Sequence, residues 1–183
     1  DYIERKIENS LSLHYPVGKL HLLFVTDGSN DATPDLVRKY PQVRLFHQPE
    51  RQGKIAAVNR VMPHVGTPIT IFSDANTDLN PDAILMMARH FADPKTGAVA
   101  GEKRVLSPEK DSASGAGEGF YWKYESKLKS WDSELYSVVG AAGELFAVRT
   151  DLYEPVSKDT LIEDFYMTVK MTMHGYRVAY EPE

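Results

Sequence analysis

The sequence contains no cysteine, which excludes disulfide bonds and thiolate metal sites. No apolar run approaches the roughly 18 residues that a membrane-spanning helix needs, and no signal peptide is visible. The 26 acidic residues outnumber the 21 basic ones, and the resulting net charge of −5 argues against a nucleic-acid-binding surface. The six histidines lack the spacing of metal ligands. A P-loop and a Gly-x-Ser-x-Gly nucleophile elbow are also missing, which excludes two common kinds of catalytic site.

The 183 residues, 42% of them hydrophobic, fit one domain with a full core, and we expect a single domain over residues 1–183. The chain begins inside an amphipathic pattern formed by Ile3, Ile7 and Leu11, without a start methionine. It ends at Glu183, directly after a strand-like run. We therefore expect an excised part of a longer protein, truncated at both ends.

Hydrophobic periodicity predicts strands and helices that alternate along the chain. The predicted strands are 20–26, 43–47, 68–73, 97–105, 144–149 and 177–181. The predicted helices are 2–13, a segment from an Asp31 cap to about Tyr40, 54–62, 81–91 after an Asn80 cap, 119–134 and 162–174. Alternation at this spacing predicts an α/β fold with a largely parallel sheet and crossover helices.

Four short charged segments occur in a fixed order along these elements. They are Asp27-Gly28-Ser29-Asn30-Asp31, Gln52-Gly53-Lys54, Ser73-Asp74-Ala75-Asn76-Thr77 and Ile162-Glu163-Asp164. The first and third follow predicted buried strands, and the carboxyl ends of neighbouring parallel strands meet at the ligand-binding edge of an open α/β sheet. Three acidic segments and a lysine in this order indicate a site for a phosphate group and a metal ion.

Each segment also has a simpler explanation when it is taken alone. Asp27 is a common turn residue, and Lys54 is either an anion ligand at a helix N-terminus or a solvated surface lysine. Asp74 and Asn76 are two oxygen ligands for a hard cation or part of a plain turn. A calcium EF-hand is excluded at Asp74, because its sixth and twelfth positions hold Leu79 and Leu85 instead of Gly and Glu.

The last two features lie in the C-terminal part of the chain. Glu163 and Asp164 open a predicted helix, where one carboxylate acts as a general base or both complement the helix dipole. The small residues Gly140-Ala141-Ala142-Gly143 precede a strand and either let a ligand approach the backbone closely or form an ordinary loop.

Taken together, the ordered set resembles the inverting family-2 glycosyltransferases of GT-A fold. It is most similar to the membrane-associated synthases of the cellulose, hyaluronan and poly-N-acetylglucosamine type. The matching stretches cover nearly the whole chain: 24–33, 51–59, 72–77, 140–149 and 160–164. The resemblance implies a Rossmann-like, mostly parallel sheet flanked by helices. It also implies transfer of a sugar from a nucleotide-sugar, commonly a UDP-sugar, to an acceptor hydroxyl with inversion, in polysaccharide or glycoconjugate synthesis.

The resemblance assigns an expected role to each matching position. The expected nucleotide-sugar ligands are Asp27, Gly28, Ser29, Lys54, Asp74 and Ala75. Asn76, together with Asp74, occupies the position that binds Mg²⁺ or Mn²⁺. Asp164 is expected to be the catalytic base with Glu163 beside it, and Gly140, Ala141, Ala142 and Gly143 are expected to shape the acceptor site. The implied partners are a nucleotide-sugar donor and a saccharide or lipid-linked acceptor, not nucleic acid.

This sequence departs from the family pattern at three places. Asn76 replaces the usual aspartate, which predicts weaker metal binding because ligand charge tunes affinity. The family's first strand would precede Asp1, and a Gln-x-x-Arg-Trp segment would follow Glu183. We therefore expect the isolated chain to fold as a soluble fragment that is inactive or nearly so. The resemblance places the parent protein at the cytoplasmic face of the cell membrane.

Two other functions remain open at the level of the sequence. One is a nucleotidyltransferase-like sugar-phosphate enzyme, which would need a Gly-rich triphosphate-binding segment near its start. The other is a non-catalytic, carbohydrate-binding relative of the transferases. Asn76 favours that alternative, whereas the presence of Asp164 argues against it.

Overall fold

The computed structural model describes residues 2–103, 113–141 and 143–182. The helices are α1 (Tyr2–Leu11), α2 (Thr33–Arg38), α3 (Lys54–Val61), α4 (Ala83–Arg89), α5 (Ala113–Leu135) and α6 (Glu163–Met173). The strands are β1 (Leu22–Asp27), β2 (Val43–Gln48), β3 (Ile69–Ser73), β4 (Thr96–Gly101), β5 (Leu145–Arg149) and β6 (Arg177–Glu181). Single 3₁₀ turns follow α3, α4 and β5. Within these residues, no helix is both long enough and apolar enough to cross a membrane.

The predicted order of strands and helices is confirmed, and the differences lie at element ends. Helix α4 begins at Ala83, and Asn80 contributes its backbone carbonyl to the Ala83 N–H instead of a side-chain cap. Helix α2 begins at Thr33 and its N-cap is Ala32, so the prediction of an Asp31 cap is wrong. Asp31 Oδ1 instead accepts a hydrogen bond from the Thr33 N–H at 3.0 Å, in the turn before the helix. Helix α5 starts six residues earlier than predicted, at Ala113.

The strands form two sheets. Strands β1 and β2 are a parallel pair, in register from Leu22 opposite Val43 to Asp27 opposite Gln48. The second sheet has the order β3-β5-β4-β6, in which β4 and β6 are parallel while β5 runs antiparallel to both of its neighbours. The α/β class with a parallel pairing and flanking helices is confirmed, but the expectation of a mostly parallel sheet holds for only two of the four pairings.

The direction of β5 has a physical reason in the path of the chain. The carbonyl of Glu144, just before β5, accepts a hydrogen bond from the N–H of Asp74, just after β3. The segment after α5 therefore returns to the carboxyl end of β3, and β5 must run back along β3 from there. Alternation of strands and helices does not reveal this path. The consequence is that Gly143 and Glu144 lie at the same sheet edge as Asp74.

The core lies on both faces of the four-stranded sheet. Alternate residues of β4, β5 and β6 face α6 on one side and α4 on the other, as period-2 alternation requires. The first face includes Ala98, Phe146, Val148, Val178, Met167 and Met171, and the second includes Val99, Ala147, Ala179, Ile84 and Met87. A smaller cluster of Ile7, Val37 and Val43 joins α1 and α2 to β2. These clusters fix the ends of α3, α6 and β3 relative to one another.

Candidate active site

A lysine and two carboxylates from three different elements meet at the carboxyl end of β3. Lys54 Nζ, on the first residue of α3, lies 3.0 Å from Asp74 Oδ1. The same ammonium lies 3.0 Å from Glu163 Oε1, on the first residue of α6. Three of the predicted segments are thus adjacent in space although they are far apart in the chain.

The Lys54 ammonium is the positive centre of this cluster. Burial acts to lower the pKa of Lys54, but its hydrogen bonds and charge interactions with Asp74 and Glu163 outweigh burial and raise that pKa. The side chain stays charged at neutral pH and retains 48% exposure, so it faces both the carboxylates and solvent. A fixed cation at a helix N-terminus, where backbone N–H groups also point outward, is suited to bind a phosphate group.

Asp164 lies beside this cluster in the first turn of α6 and is 7% exposed. Burial raises the pKa of its carboxyl, and the nearby Glu163 charge acts in the same direction, against the Phe165 backbone hydrogen bond and the Lys54 charge. A β-carbon added to Gly143 would lie 3.1 Å from Asp164 Oδ2 and 3.7 Å from Lys54 Nζ. Gly143 therefore lets the backbone before β5 pass close to a carboxylate that is suited to accept a proton.

Asp27 is at the end of β1 and organises the loop that precedes Lys54. Its Oδ2 accepts hydrogen bonds from the backbone N–H groups of Gln52 at 2.7 Å and Gly53 at 2.6 Å, and Arg60 lies 3.4 Å from its Oδ1. Burial acts to raise the pKa of Asp27, but these hydrogen bonds together lower it. The carboxylate thus already has protein partners on both oxygens.

Gly28 directly follows Asp27 at the end of β1 and has a φ of +74°, a conformation that favours glycine. A β-carbon at Gly28 would come within 2.5 Å of Arg51 Cβ, so the turn packs directly against the loop before α3. Ser29 follows on the same turn and is half-buried. The predicted segments around Asp27 and Lys54 are therefore in direct contact.

The Asp74-Ala75-Asn76 segment forms a tight turn after β3. The Thr77 N–H donates to the Asp74 carbonyl at 3.2 Å, and both Ala75 and Asn76 are exposed. A carboxylate and an amide oxygen on one exposed turn are a donor set that fits a hard divalent cation. The described part of the chain has no group of three or more His, Asp or Glu side chains arranged for a metal, so ligand oxygens or water would complete the coordination.

The predicted acceptor segment lies against the start of α6. A β-carbon on Gly140 would come within 2.5 Å of the Phe165 ring, so the backbone and the ring are in close contact. The Ala141 N–H donates to Thr168 Oγ1 at 3.4 Å, and the Thr168 hydroxyl donates to the Asp164 carbonyl at 2.9 Å. Gly140 and Ala141 are thereby fixed beside the predicted base. Ala142 lies outside the described residues.

Asn59 is a residue that the sequence analysis did not single out. Its Nδ2 donates to the Val156 carbonyl at 2.8 Å, and its Oδ1 accepts from the Val156 N–H at 3.1 Å and from the Tyr153 hydroxyl at 2.5 Å. Burial raises the pKa of Tyr153 to about 12. Asn59 connects α3 to the segment that leads to Glu163. An Asn within a helix, where it has poor propensity, was the available signal.

Arg60 and Lys6 were also missed. Arg60 contacts Asp27, donates to the Thr26 carbonyl at 3.3 Å and hydrogen-bonds Gln48. Lys6 is 6% exposed and donates hydrogen bonds to Ser73, the last residue of β3, and to the Thr77 carbonyl. Its signal was a lysine three residues after Ile3 and one before Ile7, on the apolar face of an amphipathic helix.

A comparison with protein families places these residues in a known group. The model described as "Glycosyl transferase family 2" matches residues 1–156. The match includes Asp27, Lys54, Asp74 and the 140–143 segment, whereas Glu163 and Asp164 lie beyond it.

Two curated proteins illustrate the similarity in sequence. Poly-beta-1,6-N-acetyl-D-glucosamine synthase of Staphylococcus aureus strain MSSA476 is 28% identical over 193 residues, which cover 100% of this chain and 45% of that protein. Beta-monoglucosyldiacylglycerol synthase of Trichormus variabilis is 27% identical over 152 residues, which cover 78% of this chain and 31% of that protein. The chain thus spans less than half the length of these relatives.

Solved structures confirm the fold. A mannosyltransferase from Pyrobaculum calidifontis, in complex with GDP-Man and Mn²⁺, superposes with a TM-score of 0.83 at 26% identity, covering 100% of this chain and 51% of that one. TarS residues 1–349 of S. aureus, in complex with UDP, superposes with a TM-score of 0.72 at 14% identity, covering 100% of this chain and 54% of that one. The GT-A fold predicted from the sequence is therefore confirmed.

Proposed function

Since the chain belongs to glycosyl transferase family 2, we propose that it carries the catalytic centre of an enzyme that transfers a sugar from a nucleotide-sugar to an acceptor hydroxyl. The observation that carries this proposal is the cluster in which Lys54 contacts Asp74 and Glu163 while Asp164 lies buried beside it. A phosphate-binding cation and a proton acceptor at one edge are the two groups that such a transfer needs.

Asp164 is the proposed catalytic base. The acceptor hydroxyl loses its proton to the Asp164 carboxylate as its oxygen bonds to the anomeric carbon of the donor. The bond from that carbon to the diphosphate breaks at the same time, and its electron pair leaves with the nucleoside diphosphate. This single displacement inverts the anomeric configuration. The raised pKa of Asp164 makes its carboxylate a stronger base than an ordinary aspartate.

Lys54, Asp74 and Asn76 are the proposed binding groups for the donor diphosphate and its cation. Asp74 and Asn76 would hold Mg²⁺ or Mn²⁺, which neutralises the charge on a departing diphosphate when it is bound. The similar mannosyltransferase was solved with Mn²⁺, which supports a divalent ion here. Lys54 adds a second positive charge from the start of α3.

The remaining assignments follow the order of the segments. Asp27, Gly28 and Ser29 are proposed to lie beside the base or ribose, Ala75 beside the diphosphate, and Gly140 to Gly143 beside the acceptor. We propose a UDP-sugar donor, as the family resemblance implies, and a saccharide or lipid-linked acceptor, in line with the names of the similar synthases. We place the full-length protein at the cytoplasmic face of the cell membrane.

The test is nucleotide release by the full-length protein with UDP-sugars and GDP-mannose, in Mg²⁺ or Mn²⁺. Asp164→Asn serves as the inactive variant and Asp151→Asn as the matched control, because Asp151 is an exposed carboxylate in the turn after β5. Release with one donor that is lost only in Asp164→Asn supports the proposal and identifies the sugar. Equal release by Asp164→Asn and the wild type would refute the role of Asp164.

A further inference from the structure

The side chain of Lys6 connects α1 to the turn that carries Asp74 and Asn76. Lys6 Nζ donates to Ser73 Oγ at 2.7 Å and to the Thr77 carbonyl at 2.6 Å. Ser73 and Thr77 flank the turn on its two sides, so one ammonium group bridges both ends of it. An ammonium has three donors in a compact head group, which suits it to this bridging role.

The ammonium is held in place by burial and by its charged neighbours. Lys6 is 6% exposed, and burial lowers its pKa to about 8 against the attraction of Asp78 and Asp74. Asp78 is also paired with Arg5 of α1, and Asp74 with Lys54 of α3. A cation is expensive to bury unless it is hydrogen-bonded and paired, and the acceptors on Ser73 and Thr77 supply those bonds to Lys6.

The chain beyond the Asp74–Asn76 turn is bound to α1 at a second point. Asn9 Nδ2 donates to the Leu79 carbonyl at 2.8 Å, and Asn9 Oδ1 accepts from the Leu79 N–H at 2.9 Å. This pair anchors the segment five residues beyond Asp74 and does not reach the turn itself. Ala75 and Asn76 are exposed, so the direction of the turn depends on the bonds at its two ends.

We propose that Lys6 is a positioning residue, which holds the Asp74–Asn76 turn so that the Asp74 carboxylate and the Asn76 amide oxygen face the cation and diphosphate of the donor. This inference rests on the proposed function. Lys6 does not touch the ligand, and it acts through Ser73 and Thr77. Groups that orient metal ligands from behind typically contribute tenfold to a hundredfold to metal affinity.

The experiment compares Lys6→Met with two other variants of the chain. Lys6→Met keeps an unbranched stem and removes the ammonium. Ser73→Ala removes one of the two acceptors at the turn without changing α1. Ile7→Val is the matched control, because Ile7 is the fully buried neighbour of Lys6 and its truncation weakens packing without touching the turn.

Two readouts separate positioning from plain stability. The first is Mn²⁺ affinity in the presence of UDP or GDP, which is measured from the loss of the electron paramagnetic resonance signal of free Mn²⁺. The second is amide hydrogen exchange at Thr77, whose N–H donates to the Asp74 carbonyl. We expect Lys6→Met to bind Mn²⁺ at least tenfold more weakly and to exchange faster at Thr77. We expect Ser73→Ala to show a smaller loss, and Ile7→Val to match the wild type in affinity.

The inference is overturned if Lys6→Met keeps the wild-type affinity, or if Ile7→Val loses as much affinity as Lys6→Met. If the wild-type chain failed to bind Mn²⁺ in the presence of UDP and also in the presence of GDP, that result would count against the proposed donor site. Exchange at Thr77 then decides the role of Lys6: faster exchange in Lys6→Met but not in Ile7→Val supports it, and equal exchange overturns it.

Discussion

The Lys54 ammonium lies 3.0 Å from Glu163 Oε1, and this contact joins the first residue of α3 to the first residue of α6. The family match ends at residue 156, so the contact links the matched part of the chain to the acidic pair beyond it. Because Lys54 also contacts Asp74, one side chain joins the proposed donor site to Glu163, the neighbour of the proposed base Asp164.

The first prediction concerns Lys54→Met. In the proposed donor site, removing the ammonium takes one charged hydrogen bond from the diphosphate, a loss of about 1.5–3 kcal/mol, or roughly tenfold to a hundredfold in affinity. Calorimetric titration of UDP in the presence of Mn²⁺ measures it. Lys170→Met is the control, because Lys170 lies at the other end of α6 and pairs with Glu154. Equal losses in both variants would mean that Lys54 has no specific role.

The second prediction concerns the pH dependence of turnover. Burial and the Glu163 charge raise the pKa of Asp164, and the base must be ionised to accept a proton. Activity should therefore decline with falling pH at a higher pH than an ordinary aspartate would allow. In Glu163→Gln the acidic limb of kcat/KM should shift to lower pH, because one negative charge is removed. A limb that stays in place or moves upward would contradict the role of Asp164.

The third prediction concerns the stability contributed by Asp27. Its hydrogen bonds to Gln52, Gly53 and Arg60 lower its pKa in the folded state, so the ionised carboxylate stabilises the fold. This contribution is complete above the ordinary pKa of aspartate and is lost as the pH falls through the lower folded-state pKa. Asp27→Asn should therefore be less stable than the wild type at pH 7.

Urea unfolding of both proteins at pH 7 and at pH 3 measures this difference. The gap in unfolding free energy between wild type and Asp27→Asn should narrow as the pH falls. Asp151→Asn, which removes an exposed carboxylate, should show little change at either pH. A gap that widens toward low pH would show that the Asp27 carboxylate does not stabilise the folded chain.

Much of the fold could be predicted because each element is marked by local sequence. Ile69–Ser73 and Leu145–Arg149 are short apolar runs, and the helix that begins at Lys54 directly follows a glycine, Gly53. The direction of β5 could not be predicted. It depends on where the chain after α5 returns to the sheet, at the hydrogen bond from the Asp74 N–H to the Glu144 carbonyl, and no local pattern marks that point.

The contacts of the candidate site were likewise predictable from the sequence only in part. The order of the acidic segments predicted that Lys54, Asp74 and Glu163 would converge, and they do. The partners of Asp27 were not predictable, because backbone N–H groups at Gln52 and Gly53 leave no mark in the side-chain sequence. Lys6 was missed for a different reason: Ile3, Ile7 and Leu11 defined the apolar face in the prediction, whereas Leu11 is 40% exposed and Lys6 is buried.

The fourth prediction concerns Asn59→Ala. Val156 is 5% exposed, and both of its backbone polar groups are paired with the Asn59 amide. Leaving a buried backbone group without a partner costs about 1–3 kcal/mol, so Asn59→Ala should lower the free energy of unfolding by that amount. Tyr153→Phe, which removes one hydrogen bond to the same amide, should cost less.

Chemical denaturation of the two variants checks this order. Asn80→Ala is a suitable control, because Asn80 is exposed and contributes only its backbone carbonyl to α4. If Asn59→Ala were as stable as Asn80→Ala, the link between α3 and the segment that leads to Glu163 would not contribute to the stability of the fold.

Donor binding and turnover, measured side by side in the wild type and in Asp164→Asn, show directly whether Asp164 is the catalytic base. The substitution preserves the shape of the side chain and removes the proton acceptor. We predict unchanged affinity for the nucleotide-sugar that the wild type uses, with turnover reduced by roughly 10²- to 10⁴-fold, the usual contribution of a general base. Wild-type turnover in Asp164→Asn, or a loss of binding that matches the loss of turnover, would contradict the assignment of Asp164 as the base.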